Sequence, residues 1–171
     1  MDGEVIKETR RPQVISVVGK SDSGKTTLVT KLIPVLKGRG YRIGIIKHAL
    51  HGFDADREGK DSWRHKAAGA DTVMVASGGR IAMVKDEGGT LDDLARYFDD
   101  MDLVITEGYK RESKPKIEIF RKGKHAAPLC SKADNLIAFV TDTDLDPGVP
   151  RFGLEDIEGI VDLIERLYLV R

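Results

Sequence analysis

The chain has 171 residues, 40% of them hydrophobic and 33% charged, with a formal net charge of zero. That length suits one domain with a substantial core, and the charge balance argues against a general nucleic-acid binder. No apolar run approaches the roughly 20 residues of a membrane span, and a single cysteine, Cys130, excludes an intrachain disulfide or a multi-cysteine zinc cluster. The opening MDGEVIKETRRPQ has no apolar stretch of the kind a secretory signal needs. We therefore expect a polar lead-in over 1–12, a single domain over 13–171, and a cytoplasmic protein.

Residues 14–18, VISVV, form a β-branched apolar run that predicts a buried strand. GKSDSGKTT (19–27) follows, with Gly19, Gly24, Lys25 and Thr26 at the phosphate-loop spacing G-x-x-x-x-G-K-[ST]. Residues 25–37 repeat apolar groups at helical spacing, with Pro34 as a local conflict worth roughly 3 kcal/mol in an ideal helix interior. A glycine stop in KGRGYR leads to a second strand, IGIIK (43–47), then a polar segment over 48–60 and a short helix over 61–70. TVMVA (72–76) and IAMVK (81–85), joined by SGGR, read as a hairpin.

TLDDLARYF (90–98) reads as a helix capped by Thr90, and DLVITEG (102–108) as a buried strand ending in an acid. KIEIF (116–120) alternates polar and apolar residues, which predicts a strand with one exposed face. LIAFV (136–140) is a further buried strand, and Ile157, Ile160, Val161, Ile164, Leu167 and Tyr168 make an apolar stripe on a C-terminal helix. The alternation predicts an α/β fold of the phosphate-loop NTPase type: a mostly parallel sheet, helices on both faces, and added hairpin strands.

Strand, loop and helix in that order are what a triphosphate site needs. Backbone N–H groups of Gly19 through Thr27, including Lys20, Ser21, Asp22 and Ser23, can line phosphate oxygens; Lys25 adds a cation, and the Thr26 hydroxyl suits Mg²⁺. Glu107, at the tip of LVITE, is the second metal-positioning acid. In HALHGFDADREGKDS (48–62) a calcium loop fails because position 12 is His65. A zinc site from His48, His51 and Asp54 competes there with a magnesium and γ-phosphate switch from Asp54, Asp56 and Asp61. TDTD (141–144) follows a buried strand where guanine-binding proteins carry T/N-K-x-D; Asp144 stands at the guanine position, but Asp142 replaces the lysine. The stretch 109–124 carries seven Lys/Arg against two Glu, a solvated face or a surface for an anionic ligand or acidic partner. Cys130 lacks a base or metal companion in the sequence and reads as a structural residue.

In order and spacing, VVGKSDSGKTTLVTKLIPVLKGRGYRIGIIKH, FDADREGKDSWRHKAAGA and LVITEGYK resemble the molybdopterin-guanine dinucleotide biosynthesis protein B (MobB) family over roughly 13–121. The resemblance implies a GTP- and Mg²⁺-binding, weakly hydrolysing homodimer that assists the guanylyltransferase attaching GMP to molybdenum cofactor, with the pterin as a further candidate ligand. It assigns Asp56, Gly59, Lys60 and Asp61 to a second motif, and Glu107, Gly108 and Lys110 to a third. Lys25, Asp56 and Glu107 become the candidate catalytic residues, Thr26, Asp56 and Glu107 the candidate metal ligands, and Thr141 with Asp144 the candidate base contacts. Lys20 departs from the family pattern. It occupies the place of a cross-subunit lysine in related ATPases, but Ser21 and Asp22 replace their glycines, which favours a surface lysine. A small-molecule kinase with 110–124 as its lid and a metal-delivery GTPase are the competing readings; few histidines and one cysteine weigh against the latter.

Overall fold

The computed structural model describes residues 11–49, 52–124 and 126–169. In chain order the elements are β1 (Gln13–Val18), α1 (Lys25–Gly38), β2 (Ile43–Lys47), α2 (Asp61–Ala67), β3 (Thr72–Ser77), β4 (Arg80–Lys85), α3 (Leu91–Ala95), β5 (Leu103–Glu107), β6 (Lys116–Phe120), β7 (Leu136–Thr141), β8 (Arg151–Phe152) and α4 (Ile157–Tyr168). They divide into two compact units: the chain up to His48 together with the chain from Leu91 onward, and the segment Ala49–Thr90.

The larger unit is a six-stranded sheet in the order β2-β5-β1-β6-β7-β8, with every neighbouring pair parallel. β1 is central because its residues are apolar on both faces: Ile15, Val17 and Val18 are at most 1% exposed. Ile15, Val17, Ile117, Ile119, Ala138 and Val140 pack against Leu28, Leu32 and Leu36 of α1 and Ile160, Val161 and Ile164 of α4. Each such Val, Leu or Ile side chain contributes about 1.5–3 kcal/mol when fully buried. That packing offsets the conflict at Pro34, which remains inside α1 between the buried Leu32 and Leu36. On the opposite face Ile46 and Val104 pack with Leu91, Leu94 and Phe98, so helices cover both faces as expected.

Polar groups tie the two outer helices together. Arg39 donates to Asp162 at 2.6 Å, Glu165 at 2.5 Å and Glu158 at 2.5 Å, and the Tyr41 hydroxyl donates to Glu165 at 2.7 Å. The Tyr41 hydrogen bond and then Arg39 hold the Glu165 carboxyl below the usual carboxylate range.

β6 corrects the expectation of an exposed face. All five of its residues are buried, because it runs between β1 and β7 and both its faces are covered. The alternating polar residues have internal partners instead of water. Lys116 Nζ donates to the carbonyls of Glu112, Lys114 and Asp134 at 2.5, 3.1 and 2.7 Å. Glu118 accepts the N–H groups of Leu129 at 2.7 Å and Cys130 at 2.9 Å. Burial raises the Glu118 pKa against those two hydrogen bonds, and burial pushes the Cys130 thiol up to about 11, which suits a structural cysteine.

Smaller differences concern boundaries. The expected helix over 90–98 is α3 followed by a 3₁₀ turn at Arg96–Phe98, and the one expected over 61–70 ends at Ala67, before Gly69 takes a φ of 106°. In α4, Leu163 is buried whereas Leu167, assigned to the apolar stripe, is exposed. β8 and a 3₁₀ turn at Lys132–Asp134, closed by a reciprocal Ser131–Asp134 capping box, are too short to leave a periodicity.

The smaller unit contains α2 and the β3–β4 hairpin, paired from Thr72↔Lys85 to Ser77↔Arg80 so that Gly78 and Gly79 alone form the turn. Lys66 binds the carbonyls of Ala70 at 2.6 Å and Asp71 at 3.0 Å and pairs with Asp86 at 2.7 Å. Its helix α2 buries no side chain, and Met74, Val75, Ile81 and Met83 of the hairpin are exposed.

Candidate functional site

The chain reverses its spread across the sheet at β1: β5 and β2 lie on one side, β6, β7 and β8 on the other. Ligands of open parallel sheets bind beyond the carboxyl ends of the strands at such a switch point. Residues 19–24 leave β1 there and enter α1.

Backbone geometry explains the loop's composition. Gly19 has φ 154°, and a Cβ on it would approach Ser23 Oγ to 2.5 Å and the Ile119 carbonyl oxygen to 2.7 Å. Gly24, at φ 100°, turns the chain into α1, where Leu28 N–H donates to its carbonyl at 2.9 Å. Ser23 is fully buried, and its hydroxyl has no hydrogen-bond partner among the described residues. Lys20, Ser21 and Asp22 are exposed around the rim, and Thr27 is exposed on the first turn of α1.

Lys25 Nζ spans the loop to donate to the Lys20 carbonyl at 2.7 Å. Burial lowers the pKa of this ammonium; Glu107 and Asp22 oppose that, and Lys47 adds to it. The Thr26 hydroxyl donates to Glu107 Oε1 at 2.7 Å, joining the first residues of α1 to the end of β5. Lys47, at the end of β2, is paired in register with Glu107 and has its Nζ 3.9 Å from the same carboxylate oxygen.

These residues fit a nucleoside triphosphate with Mg²⁺. The loop is a cradle that a Cβ would fill, its lysine is satisfied by a carbonyl that an anion can replace, and a hydroxyl and a carboxylate, the oxygen donors Mg²⁺ prefers, are already in contact. A hydroxyl that donates to Glu107 keeps its lone pairs for a metal. Phosphates would be held by the loop N–H groups and Lys25, and the metal by Thr26 and Glu107; when bound, Mg²⁺ neutralises charge on the terminal phosphates.

The remaining expected site residues are distributed as follows. Gly108 N–H donates to the Val17 carbonyl at 3.0 Å, and Lys110 is exposed on the segment that crosses from β5 to β6. Asp56 accepts from Arg57 N–H at 2.8 Å, Asp61 pairs loosely with Arg64 at 4.0 Å, and Lys60 is exposed, all within the smaller unit. Thr141 is buried, bonded to Thr143 at 3.0 Å between their hydroxyls. Asp142 is held by Lys122 N–H at 2.7 Å and Arg121 at 3.8 Å, whereas Asp144 is solvent-facing, 3.9 Å from Arg151. The basic stretch 109–124 is not one continuous patch: Lys116 is internal, Lys114 pairs with Asp92 at 2.5 Å, and Arg121 faces Asp142.

His48, one candidate zinc ligand, packs its ring on Tyr109 at 4.8 Å; His51 lies outside the described residues. Among the described residues no group of three His, Cys, Asp or Glu could hold a metal ion. A cavity of about 520 Å³, lined by Gln13, Val14, Asp92 and Lys114 among others, includes none of the phosphate-loop residues.

Residues 14–142 match the family described as molybdopterin guanine dinucleotide synthesis protein B, MobB. The chain belongs to the MobB family. The molybdopterin-guanine dinucleotide biosynthesis adapter protein of Escherichia coli strain K12 is 40% identical over 151 residues, covering 84% of this chain and 86% of the relative. The adapter protein of the same name from Haemophilus influenzae is 38% identical over 166 residues, covering 95% and 93%. A crystal structure of a molybdopterin-guanine biosynthesis protein B superposes with a TM-score of 0.72 at 31% identity, over 91% of this chain and 99% of that one. The MobB match takes in the phosphate loop, Lys47, Glu107 and Thr141, and stops at Asp142, short of Asp144 and α4.

Reading the sequence missed Lys47, the cation that stands beside Glu107. Its signal is cross-strand: Lys47 and Glu107 are 60 positions apart in the chain (107 − 47), and only the parallel register of β2 and β5 sets them side by side. No helix of the described residues is long and apolar enough to cross a membrane.

Proposed function

We propose that this MobB-family protein is a GTP-binding adapter in molybdopterin-guanine dinucleotide biosynthesis, assisting the guanylyltransferase that attaches GMP to molybdenum cofactor. The observation that carries the proposal is the Thr26–Glu107 contact at 2.7 Å beside Lys25, a hydroxyl and a carboxylate next to the phosphate-loop sequence. The adapter role draws on relatives named for it at 38% and 40% identity.

In this proposal Gly19 to Thr27 cradle the triphosphate, and Thr26 and Glu107 take Mg²⁺. Asp56, a further candidate catalytic and metal residue, belongs with Gly59, Lys60 and Asp61 to the second motif, and Glu107, Gly108 and Lys110 make the third. Thr141 and Asp144 serve the guanine, Asp144 accepting from its ring N–H and amino groups. Hydrolysis is slow, because arginine fingers and water-positioning side chains, worth about 10³–10⁵ in rate, are not part of this scheme. The protein acts as a homodimer, and the exposed Met74, Ile81 and Met83 on one face of the hairpin offer an apolar contact for a second copy.

The test is synthesis of the guanine dinucleotide by purified guanylyltransferase from GTP and the pterin. Added wild-type protein is expected to raise the yield and Lys25→Ala is not. Equal stimulation by both proteins, or by neither, contradicts the proposal.

A further inference from the structure

Lys47 is a cation that the nucleotide site as assembled above does not use. It ends β2, in register with Glu107 at the end of β5, and its side chain is 64% exposed while that of Glu107 is 13% exposed. The 3.9 Å between Lys47 Nζ and Glu107 Oε1 is too long for a hydrogen bond, so the ammonium keeps its donors available to another acceptor. The same carboxylate oxygen already takes the Thr26 hydroxyl at 2.7 Å.

Charged groups flank the loop on both sides. On the β6–β7 side Arg121 faces Asp142 at 3.8 Å, and the Asp142 carboxylate also takes Lys122 N–H at 2.7 Å. On the β5–β2 side, Lys47 lies beside Glu107 at 3.9 Å, while the Lys25 ammonium is bonded to the Lys20 carbonyl at 2.7 Å. Neither ammonium is within hydrogen-bond reach of a carboxylate among the described residues, which leaves donors for a further anion. A metal held by Thr26 and Glu107 would neutralise charge on the terminal phosphates, and Lys47, 3.9 Å from the same carboxylate oxygen, would then stand beside them.

Resting on the nucleotide-binding proposal, we infer that Lys47 is the terminal-phosphate contact that distinguishes a nucleoside triphosphate from a diphosphate at this site. Lys25 serves both nucleotides through the β-phosphate. Lys47 gains a partner only when the third phosphate is present.

The experiment measures affinities of the full chain for GTP and GDP, each with Mg²⁺, in wild type, Lys47→Gln and Lys47→Arg. Lys47→Gln is expected to weaken GTP about ten- to hundredfold, the loss of one charged hydrogen bond, and to change GDP by less than about twofold. Lys47→Arg keeps the charge and is expected to retain most of the GTP preference. Thermal unfolding without nucleotide checks that both variants fold, as a solvent-facing strand end allows. Equal weakening of GTP and GDP would mean that Lys47 acts on the metal through Glu107, and would overturn the inference. Unchanged affinities for both would overturn it as well. Wild-type protein that binds neither nucleotide would remove the nucleotide-binding proposal itself, and this inference with it.

Discussion

The larger unit and the smaller one solve opposite problems. In the larger, six parallel strands bury Ile15, Val17, Ile117 and Ile119 under two helices, and that rigid frame brings Lys25, Thr26, Lys47 and Glu107 together from three separate elements. In the smaller, α2 buries no side chain, the hairpin exposes Met74, Val75, Ile81 and Met83, and among the described residues Asp56 contacts Arg57 and Asp61 contacts Arg64, their own near neighbours in sequence. A phosphate-binding centre needs groups fixed to within a fraction of an ångström before ligand arrives, which a packed core supplies. A surface meant for a partner can leave its apolar groups uncovered until the partner comes.

If that contrast is right, substitutions in the two units should read out on different measurements. Ile160→Ala removes a fully buried side chain from the seam under α1 and is expected to cost about 2–5 kcal/mol in denaturant unfolding. A cost below about 1 kcal/mol would mean the core collapses around the cavity. Lys25→Ala is expected to weaken GTP binding about a hundredfold or more while leaving the unfolding midpoint nearly unchanged. Tight GTP binding by a folded Lys25→Ala chain would remove the phosphate loop from the account.

Glu107→Gln keeps a hydrogen bond to Thr26 and deletes the charge, so the Mg²⁺ requirement for GTP should rise about tenfold or more. An unchanged Mg²⁺ titration would assign Glu107 a structural part only. Ile81→Ser, on the exposed hairpin face, should leave unfolding within about 0.5 kcal/mol of wild type and weaken self-association measured by analytical ultracentrifugation. A large loss of monomer stability would show that the hairpin's apolar face is already covered within one chain.

The smallest effect concerns pH. Glu165 has a folded pKa below its unfolded value, so its contribution is present above the ordinary carboxylate range and lost as pH falls through the lowered value. Arg39→Gln should therefore lower stability at neutral pH and flatten the decline toward acid. Parallel pH profiles for the two proteins would contradict the sign.

Residues that act through local spacing were legible without the structure. VISVV, the glycine positions of the loop, and the α1 and α4 stripes place the site on the sheet, because strand and helix periodicities are local signals. KIEIF misled for a physical reason: alternation reports polarity, and Lys116 and Glu118 satisfy theirs with backbone carbonyls and N–H groups inside the protein. Lys47 was invisible because register between strands distant in the chain carries no local pattern. Asp142 in TDTD stands where a guanine-binding motif has lysine, and the structure gives it a local task, holding Lys122 N–H at 2.7 Å.

The central claim is that Thr26 and Glu107 are assembled for the metal of a bound guanine nucleotide. Titration of the full chain with GTP and with ATP, each in the presence and absence of Mg²⁺, tests it most directly. The account predicts saturable GTP binding that weakens at least about tenfold when the metal is chelated, and weaker binding of ATP under the same conditions. Binding of GTP that is indifferent to Mg²⁺, or of ATP as tight as GTP, would contradict it.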